Sequence, residues 1–249
     1  MMVSSVAQGM RQIPLDLGPV SLPGLDDFLP DGNGQLLDWL RRWPQGGDES
    51  STGRLPSAYL WGAAGAGKTH LLRAMVPRAL AMGYGVIWIS GQGCQMWDAD
   101  DPMAPSLALM DDCEQLDEQM QHLAFNLFIE WAAGSGGGAQ GGGVSIIAAG
   151  HVPPVDLPVR DDLRTRLGWG QIFAVSALGE EGVRTVLQAE AQRRGMALAD
   201  GVVSYLLSHY SRDLAFLMGL LDRLDRFALA EHRTVTVPLL KQMLALENP

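Results

Sequence analysis

The stretch that most narrows what this chain can fold into is Gly62-Ala63-Ala64-Gly65-Ala66-Gly67-Lys68-Thr69. It is a G-x-x-x-x-G-K-T pattern set between the apolar run Ala58 to Trp61 and the helix-forming segment Lys68 to Met82. A loop of this kind works by letting the backbone curl. Glycines at Gly62, Gly65 and Gly67 lack the β-carbons that would stop successive amide N–H groups from turning toward a phosphate, and the positive end of the following helix adds to the field. Lys68 supplies a point charge to the outer phosphates and Thr69 a hydroxyl for magnesium, with Ala66 and His70 counted in the same cradle. Strand, loop and helix in this order commit the region to an α/β architecture.

The pattern around the loop agrees. Ala58 to Trp61, Val86 to Ser90, Leu107 to Met110, Val144 to Ala149 and Ile172 to Val175 read as five strands, short and continuously apolar, as strands covered on both faces are. Gln35 to Trp43, Lys68 to Met82 and Leu116 to Ala133 read as helices between or before them, with Pro77 expected to kink or end the second. After Ala177 the strands stop. Glu180 to Arg194, Gly201 to His209, Arg212 to Glu231 and Pro238 to Leu246 predict four helices, the third with Leu214, Leu217, Met218, Leu221, Leu224 and Ala228 on one stripe. The expected organisation is an N-terminal arm over 1–19, a parallel five-stranded α/β domain over 20–177 and a small all-α lid over 178–249. Seven glycines in the ten residues Gly134 to Gly143 predict a loop.

Charge limits the partners. Lys and Arg total 18 against 28 Asp and Glu, a formal net charge of −10, whereas a broad grip on nucleic acid needs a cationic surface. Hydrophobic residues make up 47% of the chain, enough for a real core, so a disordered state is excluded. Two cysteines, Cys94 and Cys113, make no disulfide framework and have no metal-ligand spacing, which suits a reducing compartment. Without a signal-peptide block or a membrane-length apolar run, the expectation is a soluble, cytoplasmic protein.

Three further elements bear on chemistry. Asp111 and Asp112 end the strand Leu107 to Met110, where Asp111 suits a magnesium ligand through water and Asp112 suits polarisation of an attacking water; the alternative is an acidic turn with Glu114 and Asp117. In the run Asp161 to Gly170, either an arginine reaches a phosphate of a neighbouring molecule, or Arg164 and Arg166 pair with Asp161 and Asp162. Arg212 opens the third lid helix and either folds back toward the nucleotide or pairs locally.

The phosphate loop, the Leu-Met-Asp-Asp strand end, the Arg-Leu-Gly-Trp-Gly box from Arg166 to Gly170 and the Ser-Arg-Asp-Leu start of the long lid helix occur in a telling order. In it the chain resembles the AAA+ proteins related to the bacterial replication initiator DnaA, and among them the Hda regulators. The likeness runs from about Gln12 to Leu246, and Pro153-Pro154 and Arg166 to Ile172 are especially Hda-like. The initiators' C-terminal helix-turn-helix domain is not expected, since the sequence reaches Pro249 directly after the lid helices.

The resemblance implies a nucleotide, ADP or ATP with Mg2+, held by Lys68, Thr69 and Asp111, and an arginine finger at Arg166. It further implies a nucleotide-sensing Arg212 and an adenine flanked by Phe28 and Leu29. It also implies that Gln12, Leu15 and Leu17 form a peptide that binds the β sliding clamp of DNA polymerase. The implied work is stimulation of ATP hydrolysis by DnaA at the DNA-loaded clamp, with no sequence-specific DNA binding, no membrane association, weak or no turnover by this chain and a possible homo-oligomer. His151 departs from the family, standing after the strand Val144 to Ala149 where relatives place an acid or small polar sensor. A self-sufficient ATPase and a nucleotide-gated adaptor between the clamp and another replication protein remain alternatives.

Overall fold

The computed structural model describes residues 24–45, 55–97, 106–133, 143–210 and 213–247. The chain divides into two compact units, Leu22–Gly179 and Glu180–Pro249.

The first unit carries one sheet. Strands β1 (Ser57–Trp61), β2 (Gly85–Ser90), β3 (Gly93–Trp97), β4 (Ser106–Met110), β5 (Val144–Gly150) and β6 (Gln171–Ala174) lie in the order β3-β2-β4-β5-β1-β6. Five strands are parallel, and β3 runs antiparallel to β2. The sixth strand is an addition to the five that apolar runs predict. It follows β2 through a two-residue turn at Gly91 and Gln92, and Gly93 at φ 116° provides a backbone that favours glycine. Its central residues Cys94, Gln95 and Met96 are exposed, so no apolar run marks it.

Alternation along the strands builds two cores, because successive side chains leave opposite faces. Leu60, Leu107, Leu109 and Ile147 pack against Leu36, Leu37, Leu40 and Trp43 of α1 (Gly34–Arg42) and its end, and against Leu71, Leu72 and Met75 of α2 (Lys68–Ala81). Tyr59, Ala108, Met110, Ile146 and Ala148 face Phe128 and Trp131 of α3 (Glu118–Ala133) and Leu163 and Leu167 of α4 (Asp161–Leu167). Each fully buried leucine-sized side chain contributes about 1.5–3 kcal/mol, so both faces of the sheet need cover. The Trp43 indole N–H donates to Ser145 Oγ at 2.8 Å, which ties the end of α1 to the middle of the sheet.

α2 continues through Pro77 to Ala81 and does not end there. Cys113 is fully buried and its thiol is pushed up to about 12 by burial, whereas Cys94 is exposed.

The lid unit contains α5 (Glu180–Arg193), α6 (Val202–His209), α7 (Leu214–Glu231) and α8 (Val237–Glu247). Asp213 caps α7, its carboxylate accepting the N–H groups of Ala215 and Phe216. Leu217, Leu221, Leu224 and Ala228 of the expected stripe are buried and Leu220 joins them, while Leu214 and Met218 are half-buried. Arg194 links the helices through Glu190 at 2.6 Å and through Asp222. Among the described residues no helix is long and apolar enough to cross a membrane.

Candidate functional site

Parallel pairing aligns the carboxyl ends of three strands. Trp61 is opposite Gly150 and Met110 opposite Ala148, so the residues that follow β1, β4 and β5 emerge along one rim of the sheet. In open α/β sheets this rim is where ligands bind. Gly62 begins the loop there, Asp111 and Asp112 leave β4, and His151 leaves β5.

The loop adopts the curled backbone that its glycines permit. Gly65 and Gly67 lie in the left-handed region at φ 75° and 93°, and Gly67 is the N-cap of α2. At Gly62 space is the constraint, since a Cβ there would sit 2.4 Å from the Val175 carbonyl oxygen. Ala66 is buried beneath the loop. Lys68 is 5% exposed, and its amine donates to the carbonyls of Gly62 at 2.7 Å and Ala63 at 3.0 Å. Burial lowers the pKa of this amine, opposed by the negative charges of Asp112 and Asp111.

Thr69 and Asp111 meet directly. The Thr69 hydroxyl donates to Asp111 Oδ1 at 3.1 Å, across 42 residues of sequence. Burial raises the pKa of the Asp111 carboxyl, and the Thr69 hydrogen bond works against it. A hydroxyl and a carboxylate held together at the foot of the loop form the all-oxygen donor pair that magnesium prefers. Asp112 is half-buried and stands at φ 47°, unusual for a residue with a β-carbon.

The segment before α1 reaches this loop. Asn33 clamps it to the end of the sheet, donating from Nδ2 to the Ser176 carbonyl at 3.0 Å and accepting the Ser176 N–H at 2.9 Å. Leu25–Asp27 forms one 3-10 turn with Leu25 buried. Phe28 then lies against Gly67, where a Cβ would stand 2.6 Å from Phe28 Cε2, and 5.9 Å between centroids from the His70 ring. Leu29 is half-buried beside it in sequence. His70 Nε2 is buried with no hydrogen-bond partner, and burial lowers the imidazole pKa, with Asp27 and Gly24 opposing. A glycine cradle, a buried cation, an oxygen pair and, at its side, an aromatic ring next to an unsatisfied imidazole nitrogen fit a purine nucleotide with a divalent ion.

Three arginines in the 160–166 stretch separate by partner. Arg160 pairs with Asp162 at 2.7 Å, and Arg164 pairs with Asp161. Arg166 joins neither. Its guanidinium carbon lies 4.4 Å from the Phe125 ring centre and 4.9 Å from that of Trp169, with no acidic partner among the described residues. Arg212 and the Gln12, Leu15 and Leu17 peptide lie outside the described residues, as does most of the glycine-rich loop.

His151 is where motif reading falls short. Its Nδ1 meets Glu114 Oε1, and its backbone N–H donates to Glu114 Oε2 at 3.4 Å. Glu114 thus brings a carboxylate to the place where the sequence offers only an imidazole, and the 37 residues between them leave no local signal of it.

A sheet of this order, with the loop and the aspartates on its rim and a lid of four helices in the chain, defines an AAA+ protein of the P-loop class. Solved structures share that fold. Domain III of the Thermotoga maritima replication initiation protein DnaA matches with TM-score 0.66 at 17% identity, over 89% of this chain and 95% of that one. AMPPCP-bound DnaA from Aquifex aeolicus matches with TM-score 0.58 at 21% identity, over 81% of this chain and 64% of that one. The Thermotoga maritima RuvB Holliday junction branch migration motor matches at 0.61 and 13% identity, over 90% of this chain and 72% of that one. In sequence, the profile of the Hda lid domain matches residues 180–244, and an uncharacterised protein of Haemophilus influenzae is 30% identical over 241 residues, 95% of this chain and 99% of that one. The chain belongs to the Hda-like family of DnaA-related AAA+ proteins.

Proposed function

We propose that this protein regulates replication initiation by promoting ATP hydrolysis in DnaA while it is held at the DNA-loaded sliding clamp. The observation that carries this reading is the contrast among the arginines: Arg160 and Arg164 are neutralised by Asp162 and Asp161, while Arg166 rests its charge on two aromatic rings with no acid beside it among the described residues. An unpaired guanidinium is free to meet charge developing on another molecule's transferring phosphate, an effect worth about a thousandfold or more in rate.

In this reading the chain's own loop holds ADP or ATP. Lys68 binds the outer phosphates, Thr69 and Asp111 hold Mg2+, the ion screens phosphate charge, and Phe28, Leu29 and His70 lie toward the base. Arg212 senses the bound state. The Lys68 amine exchanges the carbonyls of Gly62 and Ala63 for phosphate oxygens, which are stronger acceptors for a cation. By itself this chain is a weak hydrolase or none, and its principal work is on the partner. Gln12, Leu15 and Leu17 dock on the clamp and raise the local concentration of Arg166 near DnaA. The formal net charge of −10 fits a protein that reaches DNA through the clamp. A cytoplasmic location follows from that work.

The test mixes this chain, ATP-loaded DnaA and clamp on DNA and follows phosphate release. Wild type is expected to accelerate release, Gln12→Ala to do so only at much higher concentration, and Arg166→Ala to lose stimulation by a hundredfold or more. Undiminished stimulation by Arg166→Ala would make the protein an adaptor. Turnover by the isolated chain at the full rate would make it a self-sufficient ATPase.

A further inference from the structure

Beside the loop, two segments converge on a cluster of which only Asp112 has been given a part toward the nucleotide. Asp112 follows β4 in its left-handed conformation, and Glu114 turns back within the 3-10 turn Cys113–Gln115. His151 arrives from the end of β5 and receives Glu114 on both its Nδ1 and its backbone N–H. Gly150 makes the approach possible, because a Cβ there would stand 3.0 Å from Glu114 Oε2 and 2.1 Å from the Tyr59 hydroxyl oxygen. As a result one donor atom from each of Asp112, Glu114 and His151 lies within 4.8 Å of the other two, and all three residues are half-buried.

We propose that Asp112, Glu114 and His151 form a second cation site, separate from the Thr69–Asp111 pair, that takes a first-row transition-metal ion such as zinc or cobalt. The donor chemistry selects the ion. Magnesium favours oxygen ligands and gives up its waters reluctantly, whereas an imidazole nitrogen with carboxylate oxygens suits the later divalent ions. Bonds of about 2.0–2.2 Å at the tetrahedral angle set donors about 3.3–3.6 Å apart, so side-chain rotation must draw the three donors together by about 1 Å from their present limit of 4.8 Å. Three protein ligands leave a fourth position open for water. The two carboxylates and the neutral imidazole carry a charge of −2, so a bound divalent ion brings this negative corner of the rim to neutrality. It also occupies the Asp112 carboxylate, which is then unavailable to a water.

Ion binding at this cluster is independent of any action on DnaA. Its test is a titration of the full-length, nucleotide-free protein with Co2+ in millimolar Mg2+, followed by visible absorption and calorimetry, for wild type, His151→Ala and Glu114→Gln. One Co2+ per chain is expected to bind wild type despite the magnesium, at least tenfold more tightly than it binds His151→Ala, with Glu114→Gln also weakened. Equal affinity in wild type and His151→Ala, or no Co2+ binding in magnesium, overturns the site. Because a variant can misfold, the wild-type imidazole resonances supply a second measurement. Paramagnetic Co2+ is expected to broaden His151 first, and broadening confined to His70, His122, His209 or His232 overturns the proposal equally.

Discussion

The α/β unit and the helical lid hold different kinds of information. The sheet's loop, its Thr69–Asp111 pair and the buried Lys68 carry chemistry, yet this architecture is shared with DnaA and RuvB structures at 13–21% identity. The lid carries none of the loop chemistry, yet the family profile matches there, over residues 180–244. Packing makes different demands on the two. A strand covered on both faces asks only for apolar residues of about the right size, so the sheet tolerates wide substitution while its rim geometry survives. A small helical bundle is held by its apolar stripes and by polar links between particular side chains, such as Arg194 between Glu190 and Asp222.

The two regions can be read separately in the intact chain. All seven tryptophans lie between Trp39 and Trp169, so indole fluorescence follows the α/β unit, whereas far-ultraviolet circular dichroism also senses the lid helices. The largest effect expected is that of Lys68→Ala. It should weaken nucleotide binding at least a hundredfold, measured with a fluorescent analogue, and leave the tryptophan unfolding midpoint nearly unchanged, because a desolvated charge is removed along with its hydrogen bonds. Retained affinity would show that the chemistry is not confined to the loop.

Next in size is a pair of glycine substitutions. Gly62→Ala forces a Cβ to within 2.4 Å of a backbone carbonyl and should destabilise the α/β unit by about 2–3 kcal/mol. Gly219→Ala, in the interior of α7 with nothing within 4 Å, should stabilise the lid by about 0.5–1 kcal/mol. Thermal unfolding followed by both signals checks the pair, and effects of the same sign would break the comparison.

Acid should separate the units more gently. Burial holds the His70 imidazole below its ordinary 6.5, so its part of the α/β unit's stability is present above that pH and is lost as pH falls through the lowered value. In the lid, Arg193 and then Arg194 hold the Glu190 carboxyl below its ordinary 4.5, so that stabilisation is full above pH 4.5 and is lost as pH falls through the depressed value. Between pH 6.5 and 4.5 the tryptophan midpoint should therefore fall while the Glu190 contribution to the lid is still intact. His70→Gln should flatten the first trend and Glu190→Gln the second.

Much of the fold was legible because its signals are local. Leu107 to Met110 and Val144 to Ala149 are apolar without interruption, and the four lid helices announce themselves by spacing. β3 and α4 were not, since an exposed edge strand needs no apolar run and a seven-residue helix rich in Asp and Arg shows too little periodicity. At the site, Lys68, Thr69 and Asp111 follow from motif and strand end. The Glu114–His151 contact, the seat of Phe28 on Gly67 and the aromatic rest of Arg166 do not.

The sequence by itself determined that a curled phosphate loop would sit at the end of a buried strand, because glycine freedom, the lysine and the apolar run are properties of adjacent residues. That Arg166 rests on Phe125, which carboxylate reaches His151 and what covers Gly67 were decided only by the tertiary structure, which brought α3 beside α4, β4 beside β5 and the segment before α1 to the loop. Contacts of that kind join residues dozens of positions apart, and no local preference encodes their distance.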